Sequence, residues 1–509
     1  MTATTAAFPE TKPPRLAIQA FWLTASKFIG VVLNVGLPIL LVRILSQSQY
    51  GLYKQAFLVV ATVQSIANLG VGLSAFYYLP RRPEKGGQIA LNILIYNFFA
   101  GLIPLLVAAF HPQVLDIFKS HELQSFAILL GILSLITLTS SLLTLIPTAL
   151  QDVKYSTIFV VGSQVVKVII TSVAALVYRS VEALLVAAVL TQVLSTIALF
   201  WYLYKHFGHF WGDFDWNFFR EQLAYAIPIG AYGSLWVVQK YMDNYFVGHY
   251  FGPSEFAIYS VGWVDFALFS LVLESIAAVM VVRVSALQHQ DRKEEIRRLS
   301  AAAVNRLAAL QFPTCALLLV AGHDLIIVFY TRAYERSAPI FCVAILLLAL
   351  NSFLIDPIVR AYIGLRKFIL VTRIAILVCL FFALTPVIQH FGMLGAAVAA
   401  VAAQFVERIV MGWKVARTVE MTAKDLPLYK DLAKVTALTV VAGLAAYAVR
   451  NLISPHLLVP RIAAVCASVA AIYLPGMYLF RLPGWEVLSR ERLLGLIRTA
   501  LGRTSSANA

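Results

Sequence analysis

Charged residues are scarce in this sequence of 509 residues and make up only 13% of it. Soluble domains carry about a quarter of their residues as Asp, Glu, Lys and Arg, so this composition excludes an ordinary soluble protein. Apolar residues account for 60% of the chain. Apolar runs of about 20 residues follow one another closely, and each is long enough to cross roughly 30 Å of hydrocarbon as a helix. The sequence therefore predicts an all-α polytopic membrane protein.

Catalytic and metal-binding motifs are also missing from the chain. It has no GxxxxGK[ST] phosphate loop and no HExxH pair, and its four cysteines show no CxxC spacing. These cysteines all fall within apolar runs, where we expect packing residues. We therefore expect no catalytic residue, no metal and no cofactor, and a transporter rather than an enzyme. The cysteines are Cys315, Cys342, Cys379 and Cys466.

Fourteen apolar runs, separated by polar or Pro/Gly-marked breaks, predict about fourteen transmembrane helices. The predicted spans are residues 16–43, 55–79, 89–110, 123–150, 157–178, 183–204, 223–250, 258–282, 302–322, 337–363, 368–389, 393–415, 432–450 and 461–480.

A polar hairpin between two apolar runs occurs twice in the chain. Residues 45–53 read Leu-Ser-Gln-Ser-Gln-Tyr-Gly-Leu-Tyr, and residues 251–259, which end 206 positions later (259 − 53), read Phe-Gly-Pro-Ser-Glu-Phe-Ala-Ile-Tyr. Gln192 in the sixth span is likewise matched by Gln404 in the twelfth. Six spans thus repeat once, and we expect two six-helix halves related by a pseudo-twofold axis along the membrane normal. The crevice between such halves is the expected ligand site.

The repeat and the polar breaks divide the chain into six segments. The thirteenth and fourteenth spans have no counterpart in the repeat and form an appended pair. The segments are a cytoplasmic tail (1–15), the N-terminal half (16–204), a cytoplasmic linker (205–222), the C-terminal half (223–415), the appended pair (416–480) and a cytoplasmic amphipathic tail (481–509).

Basic residues indicate the orientation. Of the 40 Lys and Arg residues, 25 fall in segments assigned to the cytoplasm and 8 in outward segments, the remaining seven lying within spans. Because basic loops are retained on the cytoplasmic side, both termini are predicted to be cytoplasmic. The net charge of +15 indicates contact with anionic membrane lipids and does not favour nucleic acid as a partner.

Lys27 is the leading candidate for substrate binding. It lies eleven residues beyond the start of the first span, or about 16 Å deep at 1.5 Å per residue. A lysine near the bilayer midplane is costly unless it is paired or faces water. It therefore either lines a water-filled crevice as a cation for phosphate or lies buried against a carboxylate.

Lys240 and Asp243 lie on the seventh span, the counterpart of the first. Their i, i+3 spacing allows an ion pair on one face. In the alternative, Lys240 faces Lys27 across the crevice as a clamp for a pyrophosphate, with Asp243 tuning it. Lys167 in the fifth span is a secondary substrate-binding candidate.

Asp265 and Glu274 in the eighth span are candidates for ion coupling. They are nine residues apart, which places them on nearly opposite sides of a helix. We therefore expect one to serve as a coupling or counter-charge site and the other to be paired or near the headgroups.

Three stretches resemble one known family in combination: residues 45–53, the Phe-Tyr-x-x-x-Tyr-x-x-Ala-x-x-Ile pattern of 329–340, and the Gly-x-x-Gly-Ala-Ala pattern of 392–397. Together they resemble the polysaccharide-transporter branch of the multidrug/oligosaccharidyl-lipid/polysaccharide exporter superfamily over about residues 16–415. The resemblance implies a flippase that moves an undecaprenyl-pyrophosphate-linked oligosaccharide across the bacterial inner membrane. It implies O-antigen, capsule or exopolysaccharide assembly, with a polymerase and glycosyltransferases as partners.

Other functions remain open at this point. A cation-coupled multidrug antiporter of the same superfamily would prefer an acidic cavity, whereas Lys27 favours an anionic ligand. A lipid II flippase would share the fourteen-span layout. A membrane-bound sugar polymerase or ligase is less well supported, because the longest outward loop is short.

Overall fold

The computed structural model describes residues 30, 32–212, 214–263, 267–362 and 364–482. These residues form α-helices joined by turns and short 3₁₀-helices, and no strand occurs among them. The prediction of an all-α protein is confirmed. The predicted N-terminal tail, and the predicted C-terminal tail from residue 483 onward, lie outside the described residues.

Nine helices are present in the described part of the N-terminal half. They are α1 (Val32–Ile44), α2 (Gln47–Asn68), α3 (Ser74–Tyr78), α4 (Gly86–Phe110), α5 (His121–Ser125), α6 (Ala127–Ser140), α7 (Leu142–Ala149), α8 (Val153–Tyr178) and α9 (Val181–Phe207).

A further nine helices occur among the described residues from 214 to 482, in the second half and the appended pair. They are α10 (Trp216–Tyr250), α11 (Pro253–Gly262), α12 (Ala267–His289), α13 (Lys293–Tyr330), α14 (Ala338–Asn351), α15 (Asp356–Ala361), α16 (Leu365–Thr418), α17 (Lys430–Leu452) and α18 (Leu458–Leu479).

Local sequence explains where several of these helices begin. The Ser46 hydroxyl accepts from the backbone N–H of Gln49, and the Gln49 side chain accepts from the backbone N–H of Ser46, which is a capping box at the start of α2. Asp215 caps α10 in a similar way, by accepting from the backbone N–H of Asn217 at 2.9 Å. Pro253 occupies the first turn of α11, where its missing N–H costs nothing.

Helix α16 contains two predicted spans rather than one. It runs for 54 residues, but Gly392 has φ 64° and ψ −152°, and this non-helical residue breaks it. Arg373 and Glu407, on either side of the break, lie 2.8 Å apart. A straight helix would separate them by about 50 Å, so the chain folds back at Gly392. The predicted eleventh and twelfth spans are therefore two antiparallel segments.

The number of spans is compatible with fourteen, although it is not confirmed. Ten helices among the described residues are long and apolar enough to cross a membrane, or eleven if the bent pair Gln47–Asn68 and Val71–Tyr78 counts as one span. One of the ten, Lys367–Thr418, contains both segments of α16. Helix α1 overlaps the described end of the predicted first span, and α10 includes the predicted seventh span; neither is among the ten or eleven.

The two ends of the helix bundle differ, and we name them by their turns. The hairpin end contains the turns at residues 45–46 and 251–252, and the linker end contains residues 208–215. At the hairpin end one hydrophobic core includes residues of both halves, among them Leu52 and Phe256. At the linker end the core of the N-terminal half, which extends onto the start of α10, is separate from the core of the C-terminal half.

The appended pair packs on α13. Ala442 of α17 and Val465 and Tyr473 of α18 belong to one buried cluster with Ala308 of α13. The Tyr473 hydroxyl donates to the carbonyl oxygen of Ala309 at 2.8 Å. The pair is therefore attached to the C-terminal half.

Candidate functional site

The two copies of the repeated hairpin pack against each other at the hairpin end. Gly51 of α2 lies directly against Pro253 of α11, and a Cβ at Gly51 would come within 1.7 Å of the Pro253 carbonyl oxygen. Only glycine permits backbones to approach this closely. The repeated motif therefore forms a contact between the halves, which we call the hairpin gate (residues 43–53 with 253–259 and 328–334).

Polar groups also cross the hairpin gate. Gln47 Nε2 donates to the Ala333 carbonyl oxygen at 2.5 Å, and Arg43 Nη2 donates to the Val328 carbonyl oxygen at 2.8 Å. The rings of Tyr50 and Tyr334 meet edge to face with centroids 6.1 Å apart. Among the described residues, the hydrogen bonds that join residues 32–207 directly to 251–418 all lie at this gate.

Helix α10 approaches the N-terminal half again near its middle. A Cβ at Gly230 would lie 1.8 Å from the Leu69 carbonyl oxygen, next to Gly70, which has a φ of +71°. The Ser234 hydroxyl donates to the Ser65 carbonyl oxygen at 2.8 Å. Glycines on both chains thus allow α10 to cross the bend between α2 and α3.

The first turns of α10 remain with the N-terminal half at the linker end. Tyr225 stacks on Tyr77 with centroids 4.3 Å apart. Buried Gln222 donates to the Ser74 hydroxyl at 2.7 Å, and Glu221 pairs with Arg82 at 3.2 Å. The C-terminal half has a separate ion pair at this end, in which Lys293 Nζ donates to the Glu420 carboxylate at 2.7 Å.

This linker-end ion pair also lowers the pKa of Glu420 below its ordinary value, because the hydrogen bond from Lys293 favours the ionised carboxylate. Because the halves share one core at the hairpin end but have separate cores at the linker end, we infer a cleft between the halves that is closed by the hairpin gate and widens toward the linker end. Crevices between repeated halves are where ligands bind in folds of this kind.

Lys240 lies at the junction of the halves. Gln239, Asp243 and Phe246 form the face of α10 that packs on the C-terminal half, and Ser234 and Gly248 belong to the face that packs on the N-terminal half. At 100° per residue, Lys240 projects between these two faces.

Half-buried Lys240 is flanked by aromatic rings. Its Nζ lies 5.5 Å from the ring centroids of both Trp236 and Tyr241. Such rings stabilise a cation. The predicted position of Lys240 on a helix between the halves agrees with this placement, and its role in binding stays a prediction.

Asp243 is fully buried rather than facing the cleft. The Tyr259 hydroxyl donates to its Oδ2 at 2.5 Å, and Asn244 Nδ2 lies 3.3 Å from each carboxylate oxygen. The Tyr259 bond connects α10 to α11 within the C-terminal half. Asp243 thus has hydrogen-bonded partners inside the protein, on the face of α10 that packs on the C-terminal half.

The other predicted site residues are spread over the molecule. Lys167 is half-buried on α8, one turn beyond Gln164. Gln164 faces the first span, since its Cγ would be 3.8 Å from a Cβ at Gly30. Among the described residues Lys167 has no hydrogen-bond or ion-pair partner. Glu274 is exposed on α12. Lys27 and Asp265 lie outside the described residues.

A buried triad in the C-terminal half was not predicted. Arg373 Nη2 donates to Glu407 Oε1 at 2.8 Å, and Gln239 Nε2 donates to Glu407 Oε2 at 2.8 Å. All three residues are less than 9% exposed. Arg373 lies 19 residues before Gly392 and Glu407 lies 15 after it (392 − 373, 407 − 392), so a turn recognised there would have placed the two charges at similar depth.

The sequence comparison decides the family. A model of the family described as "Polysaccharide biosynthesis protein" matches residues 40–339, which is 300 of the 509 residues. The chain belongs to this polysaccharide biosynthesis protein family. The match includes the hairpin gate, α10 and most of both halves. A comparison with curated protein sequences gives no significant match.

Solved structures share the fold of this polysaccharide biosynthesis protein. The lipid II flippase MurJ, in an inward closed conformation, is similar with a TM-score of 0.69 at 14% identity, over 90% of this chain and 98% of MurJ. A multidrug resistance MATE family transporter of the MOP superfamily, in an inward-facing conformation, gives 0.63 at 13% identity, over 79% and 98%. A MOP superfamily transporter from Pyrococcus furiosus gives 0.57 at 15%, over 80% and 96%.

The family match agrees with the polysaccharide function that the sequence resemblance implied, and the fold is shared with MurJ and with transporters of the MOP superfamily. The similar structures named above are those of a flippase and of transporters, in agreement with the expectation of a transporter rather than an enzyme. The chain is a multi-pass membrane protein.

Proposed function

We propose that this protein is a flippase that moves an undecaprenyl-pyrophosphate-linked oligosaccharide, a repeat unit of O-antigen, capsule or exopolysaccharide, across the bacterial inner membrane by alternating access. The observation that carries the proposal is the contrast between the two ends: a shared core and a hairpin gate at one, two separate cores at the other. A cleft closed on one side is what an alternating-access transporter presents to a substrate.

The linker end is the cytoplasmic side in this proposal. Basic residues such as Arg82, Lys154 and Lys205 lie at the linker end, in segments that hold most of the Lys and Arg residues of the chain. The retention of basic loops on the inner side orients the protein accordingly. The cleft then opens toward the leaflet in which a lipid-linked substrate is assembled.

The charge at the cleft suits a pyrophosphate headgroup. Lys240 projects between the packed faces of α10, and Lys167 is a half-buried cation on α8. A lysine in a partly desolvated site makes charge-assisted hydrogen bonds to phosphate oxygens. The buried acids Asp243 and Glu407 are occupied by Tyr259 and Arg373, which does not favour a cation-attracting cavity.

A reconstituted flipping assay tests the proposal. The full-length protein is placed in vesicles with a fluorescent short-chain polyprenyl-pyrophosphate oligosaccharide, and the fraction accessible from outside is followed in time. We expect Lys240→Ala to slow flipping about tenfold or more, because one charge-assisted contact is worth roughly 1.5–3 kcal/mol. Lys167→Ala should slow it less, and Lys240→Arg should retain most activity.

Lys434→Ala is the matched control, since this half-exposed lysine on α17 lies in the appended pair. Lys27→Ala tests the predicted second arm of the clamp. If Lys240→Ala and Lys27→Ala both flip the substrate at the normal rate, the clamp is wrong. Flipping of lipid II in preference to the oligosaccharide, or export of a cationic drug, would replace the proposed substrate with that of the alternative function.

A further inference from the structure

At the hairpin end, outside the cleft, a buried cluster of charged side chains joins the appended pair to α13. Asp324 of α13 is fully buried. Arg450 of α17 donates to it through Nε at 2.9 Å and through Nη2 at 3.0 Å, and Arg461 of α18 donates through Nη1 at 3.4 Å. Three helices therefore meet at one carboxylate.

The charges of this cluster do not balance in its buried part. The side chains of Arg450 and Arg461 are 17% and 9% exposed, and they share the single negative charge of Asp324. His323 lies 3.3 Å from Asp324 and 2.8 Å from Glu335, but both His323 and Glu335 are about half exposed. Among the buried side chains of the cluster two positive charges thus share one negative charge, and buried charges require a partner.

Arg461 also has an unused donor. Its residue is only 8% exposed, yet its Nε has no hydrogen-bond acceptor among the described residues. A guanidinium presents five N–H donors in a fixed plane, and a buried donor without an acceptor is costly. The missing acceptor and the missing negative charge are at the same guanidinium, which points to an anion supplied from outside the chain.

The surroundings indicate what carries that anion. Large apolar side chains near the cluster are open to the surroundings: Leu452 is 85% exposed, Val459 65% and Tyr447 54%. Paired guanidinium groups match the geometry of phosphate oxygens. A ligand with a phosphate at one end and hydrocarbon chains at the other would satisfy both the arginines and the apolar surface of α17 and α18.

We propose that Arg450 and Arg461 bind the phosphate headgroup of an anionic lipid at the hairpin end of the appended pair. This site lies outside the cleft, and it does not depend on the transport function proposed above. The lipid adds the negative charge that completes the Asp324 cluster, and its chains cover the exposed side of α17 and α18.

Lipid retention tests the site directly. The full-length protein is reconstituted in phosphatidylcholine nanodiscs with increasing phosphatidylglycerol, and lipids that remain bound are counted by mass spectrometry of the intact complex. We expect Arg461→Gln to weaken the tightest phosphatidylglycerol about tenfold or more, and Arg461→Lys, which keeps the charge without the fork, to weaken it less. Arg332→Gln removes an exposed positive charge at the same end and should leave the retention of phosphatidylglycerol unchanged.

Two competitors distinguish the sources of the phosphate. Inorganic phosphate at millimolar concentration should leave phosphatidylglycerol bound if a lipid headgroup is the ligand; efficient displacement would make the ligand a free anion and overturn the lipid assignment. Undecaprenyl phosphate that displaces phosphatidylglycerol from the wild type but not from Arg461→Lys would identify a polyprenyl headgroup as the preferred lipid.

A second variant keeps the test decisive if Arg461→Gln folds poorly. Asp324→Asn removes the internal carboxylate, so we expect phosphatidylglycerol to bind more tightly and to raise its Tm by several degrees more than it does for the wild type, with phosphatidylcholine giving no such rise. Equal phosphatidylglycerol retention by the wild type and Arg461→Gln, or an Asp324→Asn protein that is indifferent to the headgroup, would show that the cluster is only a structural ion pair.

Discussion

The hairpin end and the linker end are built from the same two halves, but they are joined in different ways. At the hairpin end the halves share one apolar core and approach to backbone contact at Gly51 and Pro253. At the linker end each half keeps its own core, and the start of α10 is the part of the second repeat that stays with the first. At the hairpin end a glycine allows the backbones of the two halves to touch. At the linker end each half has a core of its own, so the halves can lie apart there.

The largest effect is expected from Gly51→Val. A side chain here would overlap the Pro253 carbonyl oxygen, since even a Cβ would be 1.7 Å away, so the gate cannot close as observed. We expect flipping to be lost and the fully buried Ala257, replaced by Cys in a cysteine-free background, to become reactive toward a polar thiol reagent. Gly252→Ala has open space around it and should leave both unchanged. Normal flipping by Gly51→Val would show that this contact is not a gate.

Gly230→Ala should have the next largest effect. Its Cβ would lie 1.8 Å from the Leu69 carbonyl oxygen, so α10 would be pushed away from the bend between α2 and α3. We expect a severe loss of flipping with normal insertion in the membrane. Gly233→Ala, three residues further along the same helix, meets no atom within 4 Å and is the matched control. Equal activity of the two variants would contradict a required close approach.

Glu407→Leu should lower stability without moving the gate. It leaves Arg373 buried without its carboxylate, and breaking a buried pair in this way costs about 3–5 kcal/mol. A large fall in Tm in detergent is therefore expected, while the cysteine at position 257 stays protected. Because the triad lies within one half, reactivity of that cysteine would mean that the halves are not independent units.

The smallest effect is expected from Glu221→Gln, which removes the surface pair that holds the start of α10 to Arg82 at the linker end. Both side chains are well exposed, at 49% and 39%, and such pairs contribute about 0.2–1 kcal/mol. A shift in Tm of about a degree, which disappears in high salt, is the expected result. Arg298→Gln, which removes an exposed pair within α13, serves as the comparison. A large loss of stability would show that the linker end depends on this contact.

Much of the fold follows from features that are local in sequence. The apolar runs predict the helices, and the thirteenth and fourteenth spans, which have no counterpart in the repeat, are observed as a pair on α13. The repeat predicted two halves, but it did not predict that its two copies would contact each other. That contact depends on Gly51, and a glycine in a turn is indistinguishable in sequence from a glycine in a contact.

The candidate site was harder to predict because it depends on how each helix is rotated about its own axis, which decides the side chains that the helix presents to its neighbours. Asp243 and Lys240 are three residues apart and could have paired, but the hydroxyl of Tyr259 on the next helix accounts for the carboxylate. Arg373 and Glu407 are 34 residues apart in the sequence (407 − 373), yet the turn at Gly392 brings them together. When the partner of a residue is on a different helix, the sequence spacing around that residue does not reveal the partner.

Helix α10 has one consequence for how the molecule can move. Its first turns bond to the N-terminal half, and its last turns bond to α11 and α16 of the C-terminal half. The connection between the two halves thus runs through a single continuous helix. In the proposed alternating access, opening of the gate would twist or bend α10, and Pro228, which removes one backbone hydrogen bond, is where we expect the bend.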